Sequence, residues 1–376
     1  MNRNQNQKSE VTRTSTKRLL AGGIAALSIS AALTACSAGN ETASSIGDLS
    51  GTINGAGSSA QSAAMDAWRK DFQTRNSAVT INYDPSGSGA GIESFLQQGV
   101  DFAGSDSALD IDEGELEKAT KRCGAAPIEV PNYISPIAVV LNVPGVDQLN
   151  LTPEVLAEIF AGRITKWDDP RITADNSGVE LPSIEIRPVH RSDESGTTKN
   201  FTDYLEKASA GAWRFEADKV WPTELTGEAA AQTSGMVATV EQTAGSIGYA
   251  DLSAVKDLAQ VSIKVGDQFV APSEEGAAKA LSASSADESR GETDLVVELD
   301  RATTEPGAYP LALVSYLIGC PTTDGANGEL VKQFFSYVIS TQGQESASKN
   351  AGSAPLPADL QEKAASIVAG MGSQEN

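Results

Sequence analysis

The 376-residue chain contains a single histidine and three cysteines. A transition-metal site usually takes its ligands from these residue types, and here it would need carboxylates from scattered positions. The sequence also lacks a Gly-x-Ser-x-Gly elbow and a Gly-x-x-x-x-Gly-Lys-Ser/Thr loop. We therefore expect no metal and no cofactor, and neither an α/β-hydrolase nor a P-loop nucleotidase.

Basic residues are also scarce: 28 Lys and Arg face 50 Asp and Glu, for a formal net charge of -22. No Lys/Arg-rich run occurs outside the N-terminus, so the surface is expected to repel nucleic acid. Hydrophobic residues make up 40% and charged residues 21%, which is typical of a soluble globular protein. The length suffices for two domains with separate cores.

The N-terminus has the pattern of an export signal. Three basic residues between positions 13 and 18 precede an apolar run, 19–33, which is too short for a stable membrane span. The run ends in "LTAC" (33–36), which resembles the lipobox of bacterial lipoproteins. We predict a signal peptide over 1–35, lipidation of Cys36 and a flexible tether over 36–50. The alternative is an ordinary secretory signal cleaved near Ala35.

Removal of residues 1–35 would take away five basic groups and one acidic group, a net +4. The mature charge would therefore be -22 minus +4, or -26. The two remaining cysteines, Cys123 and Cys320, form an even number in an exported chain, which indicates a disulfide. The alternative is two unpaired buried thiols. A disulfide would tie an early segment to a late one, so both chain ends would share a domain.

One local pattern recurs three times: a short β-like stretch leads into a Gly/Ser loop, and the loop opens into an amphipathic helix. The alternation of strands and helices predicts an α/β fold with open sheets. The aromatic residues on the helices are interpreted as core. The loops are "GTINGAGSSA" (51–60), "DPSGSGAG" (84–91) and "RSDESGTT" (191–198).

These loops allow three interpretations. Ser and Thr commonly cap helices, so each loop is by itself an ordinary helix start. Three helix N-termini gathered at one crevice would instead form an anion site, because their free N–H groups carry the positive end of the dipole. Arg191 could supply the cation and Asp193 its orienting partner, or the two could form only a surface ion pair. A third interpretation makes Ser195 a nucleophile and His190 its base.

The rest of the chain has fewer signals. The segment 279–308 is acidic and Ser-rich in its first half, which we predict to be a solvated surface excursion. The sequence shows no internal repeat of solenoid length. It also shows no second apolar run long enough to span a bilayer.

Six ordered motifs together resemble the phosphate-binding proteins of bacterial ABC-type phosphate importers. The resemblance runs from about Gly51 to the C-terminus. The lipobox and the two later cysteines resemble the lipoprotein members from Gram-positive actinobacteria. The motifs are "GAGSSA" (55–60), "PSGSGAG" (85–91), "DFAGSDSAL" (101–109), "IFAGRITKWDDPRI" (159–172), "RSDESGTTKNFTDYL" (191–205) and "GSIGYAD" (245–251).

The resemblance implies a pocket for inorganic phosphate built from hydroxyl and amide donors, one carboxylate and one guanidinium. Many relatives have a Thr-Phe pair where this chain has Ser59-Ala60. The hydroxyl and amide donors are kept in this chain, but a smaller apolar side chain would cover the ligand. The implied donors are Ser59, Ala60, Ser88, Ser195, Gly196 and Thr197. The carboxylate is Asp106, the cation is Arg191, and Asp193 orients Arg191.

The family fold is a type II solute-binding protein, an α/β fold with two open-sheet domains and a ligand cleft between them. The resemblance implies domain I over 51–138 and 314–376, and domain II over 139–313. The chain would cross between domains near 138–141 and 310–314. Both chain ends would then lie in domain I, in agreement with a bond between Cys123 and Cys320.

The resemblance also implies partners and a place in the cell. The protein would be a monomer anchored by acyl chains, palmitate among them, to the extracytoplasmic face of the cell membrane. It would pass phosphate to permease subunits and, through them, to a cytoplasmic ATPase, and it would not be an enzyme. The alternatives are a phosphoester hydrolase or sensor with the same cleft, and a receptor for a different oxyanion.

Asp106 is expected to select phosphate over sulfate. Phosphate keeps at least one proton near neutral pH, so a carboxylate can accept a hydrogen bond from its P–OH group. Sulfate has no such hydrogen, and an unmatched buried acceptor costs about 1–3 kcal/mol. An alternative role, capping the helix predicted to begin near Asp112, suits the nearer Asp110 better.

Overall fold

The computed structural model describes residues 49–255, 257–322 and 325–372 as alternating strands and helices. The predicted α/β fold class is correct. The strands are β1 (Gly51–Gly57), β2 (Val79–Asp84), β3 (Phe102–Ser105), β4 (Ile128–Asn142), β5 (Gln148–Leu151), β6 (Arg187–Arg191), β7 (Glu228–Ala230), β8 (Ser246–Asp251), β9 (Ala259–Val265), β10 (Gln268–Val270), β11 (Ser285–Ala286), β12 (Val297–Glu298) and β13 (Ala312–Gly319). The helices are α1 (Ser62–Arg75), α2 (Ser88–Leu96), α3 (Glu115–Cys123), α4 (Pro153–Phe160), α5 (Pro170–Thr173), α6 (Gly196–Ala208), α7 (Gln232–Gln242), α8 (Glu274–Ser282), α9 (Gly325–Ile339), α10 (Thr341–Ala351) and α11 (Ala358–Ala369).

The main sheet has the order β2-β1-β3-β13-β4-β8-β6-β7, with β9 also paired to β4, β5 and β10. The long strand β4 links its two halves. Residues up to Pro136 pair antiparallel with β13, and residues from Ile137 onward pair antiparallel with β8. β4 is buried along almost its whole length, although its sequence includes the polar residues Glu129, Asn132 and Ser135.

All three predicted strand–loop–helix units are present. They are β1 with α1, β2 with α2, and β6 with α6. The apolar stripe Met65, Trp68 and Phe72 of α1 faces the core, as the helical spacing predicts. The third unit differs in one detail: the alternation of Ile184, Ile186 and Val189 predicts a strand through all three, but β6 begins only at Arg187, so Ile184 and Ile186 lie ahead of it.

The segment 279–308 is not simply a solvated excursion. Within it, β11 and β12 form a hairpin, and the side chains of Arg290 and Asp294 are buried. Arg290 pairs with Asp294 at 2.8 Å and with the fully buried Glu129 of β4 at 3.0 Å. The first half of the segment is largely exposed, as predicted, but the side chain of Arg290 within it turns inward to buried carboxylates.

Cys123 and Cys320 form a disulfide, as their even number indicated. The bond ties the end of α3 to the residue after β13, 197 positions later in the chain. Among the helices within the described ranges, none is both long and apolar enough to cross a membrane. The predicted signal peptide, Cys36 and most of the tether lie outside the described residues.

Candidate functional site

The predicted site residues all lie where a strand of the main sheet gives way to the next segment. Ser59 and Ala60 follow β1, Ser88 is the first residue of α2, and Asp106 follows β3 directly. Arg191 ends β6, and its loop leads into the start of α6. Strands β1, β2 and β3 are mutually parallel, so their carboxyl ends share one edge of the sheet.

Asp106 is the buried carboxylate at the centre of this arrangement, with 3% of its surface exposed. Oδ1 accepts hydrogen bonds from the hydroxyls of Ser58 and Ser315, and Oδ2 accepts one from Thr197 at 3.0 Å. Burial raises the pKa of Asp106, and these hydroxyls together with the charge of Arg191 only partly oppose that effect. The carboxylate therefore has three of its roughly four acceptor positions occupied.

The starts of α2 and α6 meet beside Asp106. The backbone N–H of Asp106 donates to the Ser88 hydroxyl oxygen at 3.1 Å. A Cβ atom added to Gly196 would lie 2.7 Å from Ser88 Oγ and 2.8 Å from the Asp106 carbonyl carbon. Only glycine allows this approach, since real Cβ contacts are essentially never that short.

Arg191 is 4% exposed and is held by Asp193. Its Nε donates to Asp193 Oδ1 at 2.8 Å and its Nη2 donates to Oδ2. Asp193 Oδ1 also accepts the Gln232 amide at 2.9 Å. Burial raises the pKa of Asp193, but the hydrogen bonds and charge of Arg191 outweigh it, so the pKa is lowered. Arg191 is buried and Asp193 is partly buried, so the two residues do not form the surface ion pair that was the alternative.

Ser59 reaches the start of α7. Its Oγ lies 3.0 Å from Thr233 Oγ1 and accepts the Thr233 amide at 3.0 Å. The Ala60 amide is occupied, since it donates to Ser58 Oγ at 3.1 Å. A cavity of about 500 Å³ borders Ser59 and Ala60 on one side and Gln232 and Thr233 on the other. This space agrees with a thin apolar cover at Ala60.

We call the residues joined by these contacts the ring, and several of their donors remain free. The ring consists of Ser58, Ser59, Ser88, Asp106, Arg191, Asp193, Thr197, Thr233 and Ser315. Within the described ranges, no acceptor is found for the amides of Ser59, Ser88, Gly196 and Thr197. The amides of Ser88, Gly196 and Thr197 are the first of α2 and α6, and such amides have no intrahelical partner. Nη1 of Arg191 likewise has no hydrogen-bond partner among those residues. Such a set of N–H groups with one guanidinium can bind a small oxyanion.

Ser195 contributes less than expected. Its backbone N–H donates to the Lys219 carbonyl at 2.9 Å and its Oγ accepts the Thr198 amide, so only the hydroxyl hydrogen is left to donate. His190 does not act on it: Nδ1 lies 2.9 Å from the Arg191 carbonyl, and the ring stacks on Trp221. The geometry therefore gives no support to a Ser195–His190 nucleophile and base.

Four residues in the ring or next to it were not predicted. Ser58 lies in the same motif as Ser59, and the sequence alone does not distinguish which of the two serines contacts Asp106. Ser315 is a single polar residue in the apolar strand β13, a signal that could have been noticed. Asn200, whose side-chain amide donates to the Asp106 carbonyl at 2.6 Å, lies in the motif 191–205 but was not singled out, and Thr233 belongs to no quoted motif.

Comparisons with known proteins identify the family of this chain. A family model described as a PBP superfamily domain matches residues 39–342. The phosphate-binding protein PstS2 of Mycobacterium bovis is 36% identical over 353 residues, covering 89% of this chain and 94% of the relative. The phosphate-binding protein PstS of Xylella fastidiosa is 34% identical over 318 residues, covering 82% of each.

Solved structures give the same fold. A high affinity periplasmic phosphate-binding protein, PfluDING, bound with phosphate, has a TM-score of 0.68 and 23% identity, covering 83% of this chain and 92% of that one. A phosphate-binding protein from Stenotrophomonas maltophilia has a TM-score of 0.66 and 18% identity, covering 84% and 93%. The fold is the type II periplasmic-binding fold. With its matching domain model and its extensive identity to these relatives, the chain belongs to the PBP superfamily and, within it, to the bacterial phosphate-binding proteins named PstS.

Proposed function

We propose that this protein captures inorganic phosphate outside the cytoplasm and delivers it to the permease of an ABC transporter. The observation that carries the proposal is the composition of the ring. One carboxylate, Asp106, has an acceptor position left, and among the described residues no hydrogen-bond partner is found for the amides of Ser59, Ser88, Gly196 and Thr197 or for Nη1 of Arg191. The names of the curated relatives, all phosphate-binding proteins, support the same ligand.

The chemistry of the ring suits phosphate better than sulfate. Oδ2 of Asp106 accepts one hydrogen bond, from Thr197, and can accept another from a P–OH group. Sulfate would offer no hydrogen at this position, so no hydrogen bond would offset the repulsion between the anion and the buried carboxylate. The remaining oxygens of either ion could be bound by amides at helix N-termini and by Arg191.

The ligand would lie between two domains, 51–138 with 314–376 and 139–313. The change of partner along β4 between Pro136 and Ile137 supports a crossing close to 138–141. The bonds from Thr197 to Asp106 and from Thr233 to Ser59 join residues of opposite domains. Binding is thus proposed to draw the domains together about the two crossings and to bury the anion.

Transport without catalysis is part of the proposal. The hydroxyl oxygen of Ser195 caps α6, and His190 is stacked on Trp221, so neither supports covalent chemistry. The purified protein should not hydrolyse a chromogenic phosphomonoester. Steady turnover that is lost on Asp106→Asn substitution would contradict this part of the proposal.

Anchoring by Cys36 is proposed from the lipobox-like "LTAC" motif, with the protein acting as a monomer on the extracytoplasmic face of the membrane. In a Gram-positive host the unaltered protein should fractionate with membranes. A Cys36→Ser variant should be released into the medium, because the acyl chains are absent. Membrane association of the variant would contradict the anchor and leave the binding proposal intact.

The central test is calorimetric titration of the purified protein, first with phosphate and then with sulfate. Saturable binding of one phosphate per chain is expected, with little heat from sulfate at the same concentration. Equal affinity for the two ions would rule out phosphate selection. Absence of phosphate binding would rule out the proposed function.

A further inference from the structure

Lys219 is a buried lysine next to the ring that has no part in the function proposed above. Only 3% of its surface is exposed. Its Nζ pairs with Glu115 Oε1 and lies 3.4 Å from Glu113 Oε2. Its backbone carbonyl accepts the Ser195 amide at 2.9 Å. Lys219 therefore contacts the acidic segment after Asp106 through its side chain and Ser195, the N-cap of α6, through its backbone carbonyl.

A second ion pair lies beside the first. Lys199 Nζ is 2.9 Å from Asp110 Oδ2, and the Asp110 amide donates to Glu115 Oε2 at 2.8 Å. Burial raises the pKa of Asp110, but the hydrogen bond from Lys199 and further contacts lower it to about 2. Burial lowers the pKa of Lys219, but Glu115 and Glu113 raise it overall. Both shifts favour the charged forms of Asp110 and Lys219 at neutral pH.

The acidic and the basic residues of this network lie on two different segments of the chain, and each segment also carries residues of the ring. The carboxylates lie on 110–115, the continuation of the chain after Asp106. The lysines lie on α6 and on the loop that follows it, which together hold Ser195 and Thr197. In the domain division proposed above, the carboxylates belong to domain I and the lysines to domain II. The pairs can therefore form only when the two domains are together.

We propose that Lys219 is a positioning residue that, with Glu115, fastens the closed cleft and so limits how fast the bound anion leaves. The inference rests on the proposed function. Loss of Lys219 would remove the cation from the buried Oε1 of Glu115 in the closed form, where only the Asp110 amide on Oε2 remains, whereas in an open form water would solvate the carboxylate. The closed form would therefore be weakened more than the open form. The side chain of Lys219 contacts none of the groups that are proposed to bind the ligand.

The test is a pulse-chase with radiolabelled phosphate on the full chain. In Lys219→Met, dissociation should be faster by roughly tenfold or more, while the association rate changes little. Glu115→Gln should act in the same direction, and the double variant should show less than the product of the two effects. Lys219→Arg should restore slow dissociation, which a merely structural role of the aliphatic side chain would not predict.

The matched control is Lys279→Met, which removes an ion pair with Glu275 on the exposed face of α8 and should leave both rates unchanged. Circular dichroism establishes that each variant is folded, and Glu115→Gln decides the matter if Lys219→Met does not fold. If the folded variants bind phosphate and their dissociation rates stay within about twofold of the unaltered protein, the role of Lys219 is overturned and the proposed function is not. Failure of the unaltered protein to bind phosphate would instead overturn the proposed function.

Discussion

Asp193 holds Arg191 by two nitrogen atoms of the guanidinium, Nε at 2.8 Å and Nη2, and leaves Nη1 without a partner among the described residues. The orientation of Arg191 is therefore set by a carboxylate two residues away in the chain. Asp193 is fixed in turn by the Gln232 amide at 2.9 Å. A planar guanidinium held on one edge presents its other edge in a constant direction, which suits recognition of an oxyanion.

Replacing Asp193 by Asn should weaken phosphate binding roughly tenfold, equivalent to about 1.4 kcal/mol. Asn keeps one acceptor but loses the charge and the second acceptor, so Arg191 is free to turn. Calorimetric titration measures the change. Asp66→Asn, which alters an exposed pair with Arg69, is the control and should bind phosphate normally. Normal affinity of Asp193→Asn would show that Arg191 needs no orienting partner.

Replacing Asp106 by Asn should reduce the preference for phosphate over sulfate. The Asn side chain offers N–H donors where the carboxylate offered only acceptors, so it no longer penalises an ion without hydrogen. We expect weaker phosphate binding and stronger sulfate binding in parallel titrations of the variant. An unchanged ratio of the two affinities would contradict the role of Asp106. Asp168→Asn, at an exposed position, controls for the loss of one charge.

Much of the arrangement could be predicted because its signals are local. The helical spacing of Met65, Trp68 and Phe72 and the Gly/Ser loops each depend on a few neighbouring residues. Helix starts and strand ends follow from such patterns, so the sequence predicts Ser195 at the start of a helix and Ser88 in the Gly/Ser loop before one. The two cysteines could be paired because only two remained after Cys36.

The contacts that complete the ring could not be predicted, because they depend on the register of distant segments. Ser315 reaches Asp106 across 209 residues, where β13 pairs antiparallel with β3 and Tyr316 lies opposite Ser105. A shift in the pairing of β13 with β4 falls between Ser315 and Tyr316. Such a shift redirects side chains without any sign in the local sequence. Lys219 was missed because a lone lysine in a loop is normally exposed.

Removal of the disulfide should lower stability. The bond between Cys123 and Cys320 closes a loop of 197 positions, which restricts the unfolded chain. The double variant Cys123→Ser/Cys320→Ser should lose about 2–5 kcal/mol of unfolding free energy in denaturant titration. Phosphate affinity of the folded double variant should stay close to normal, because neither cysteine contacts the ring. Equal stability of the unaltered protein with and without reductant would contradict the prediction.

Asp251 should make stability depend on pH. It is fully buried at the end of β8, where it accepts hydrogen bonds from the Tyr133 hydroxyl at 3.1 and 3.2 Å and from the Ser253 amide at 2.9 Å. Burial raises its pKa from 3.8 to about 6, although the Ser253 hydrogen bonds oppose the effect. The folded protein therefore binds this proton more tightly than the unfolded chain.

Because the folded pKa is the higher one, the stabilisation from this group is complete below pH 3.8 and is lost as the pH rises through about 6. Relative to Asp251→Asn, the unfolding free energy of the unaltered protein should fall by up to about 3 kcal/mol between pH 4 and pH 7. Urea titrations at several pH values, without phosphate, measure the difference between the two curves. Asp267→Asn, in the turn between β9 and β10, should give a curve parallel to the unaltered protein. If the Asp251→Asn curve is parallel as well, Asp251 is ionised in both states across this range, and the hydrogen bonds from Tyr133 and Ser253 compensate fully for its burial.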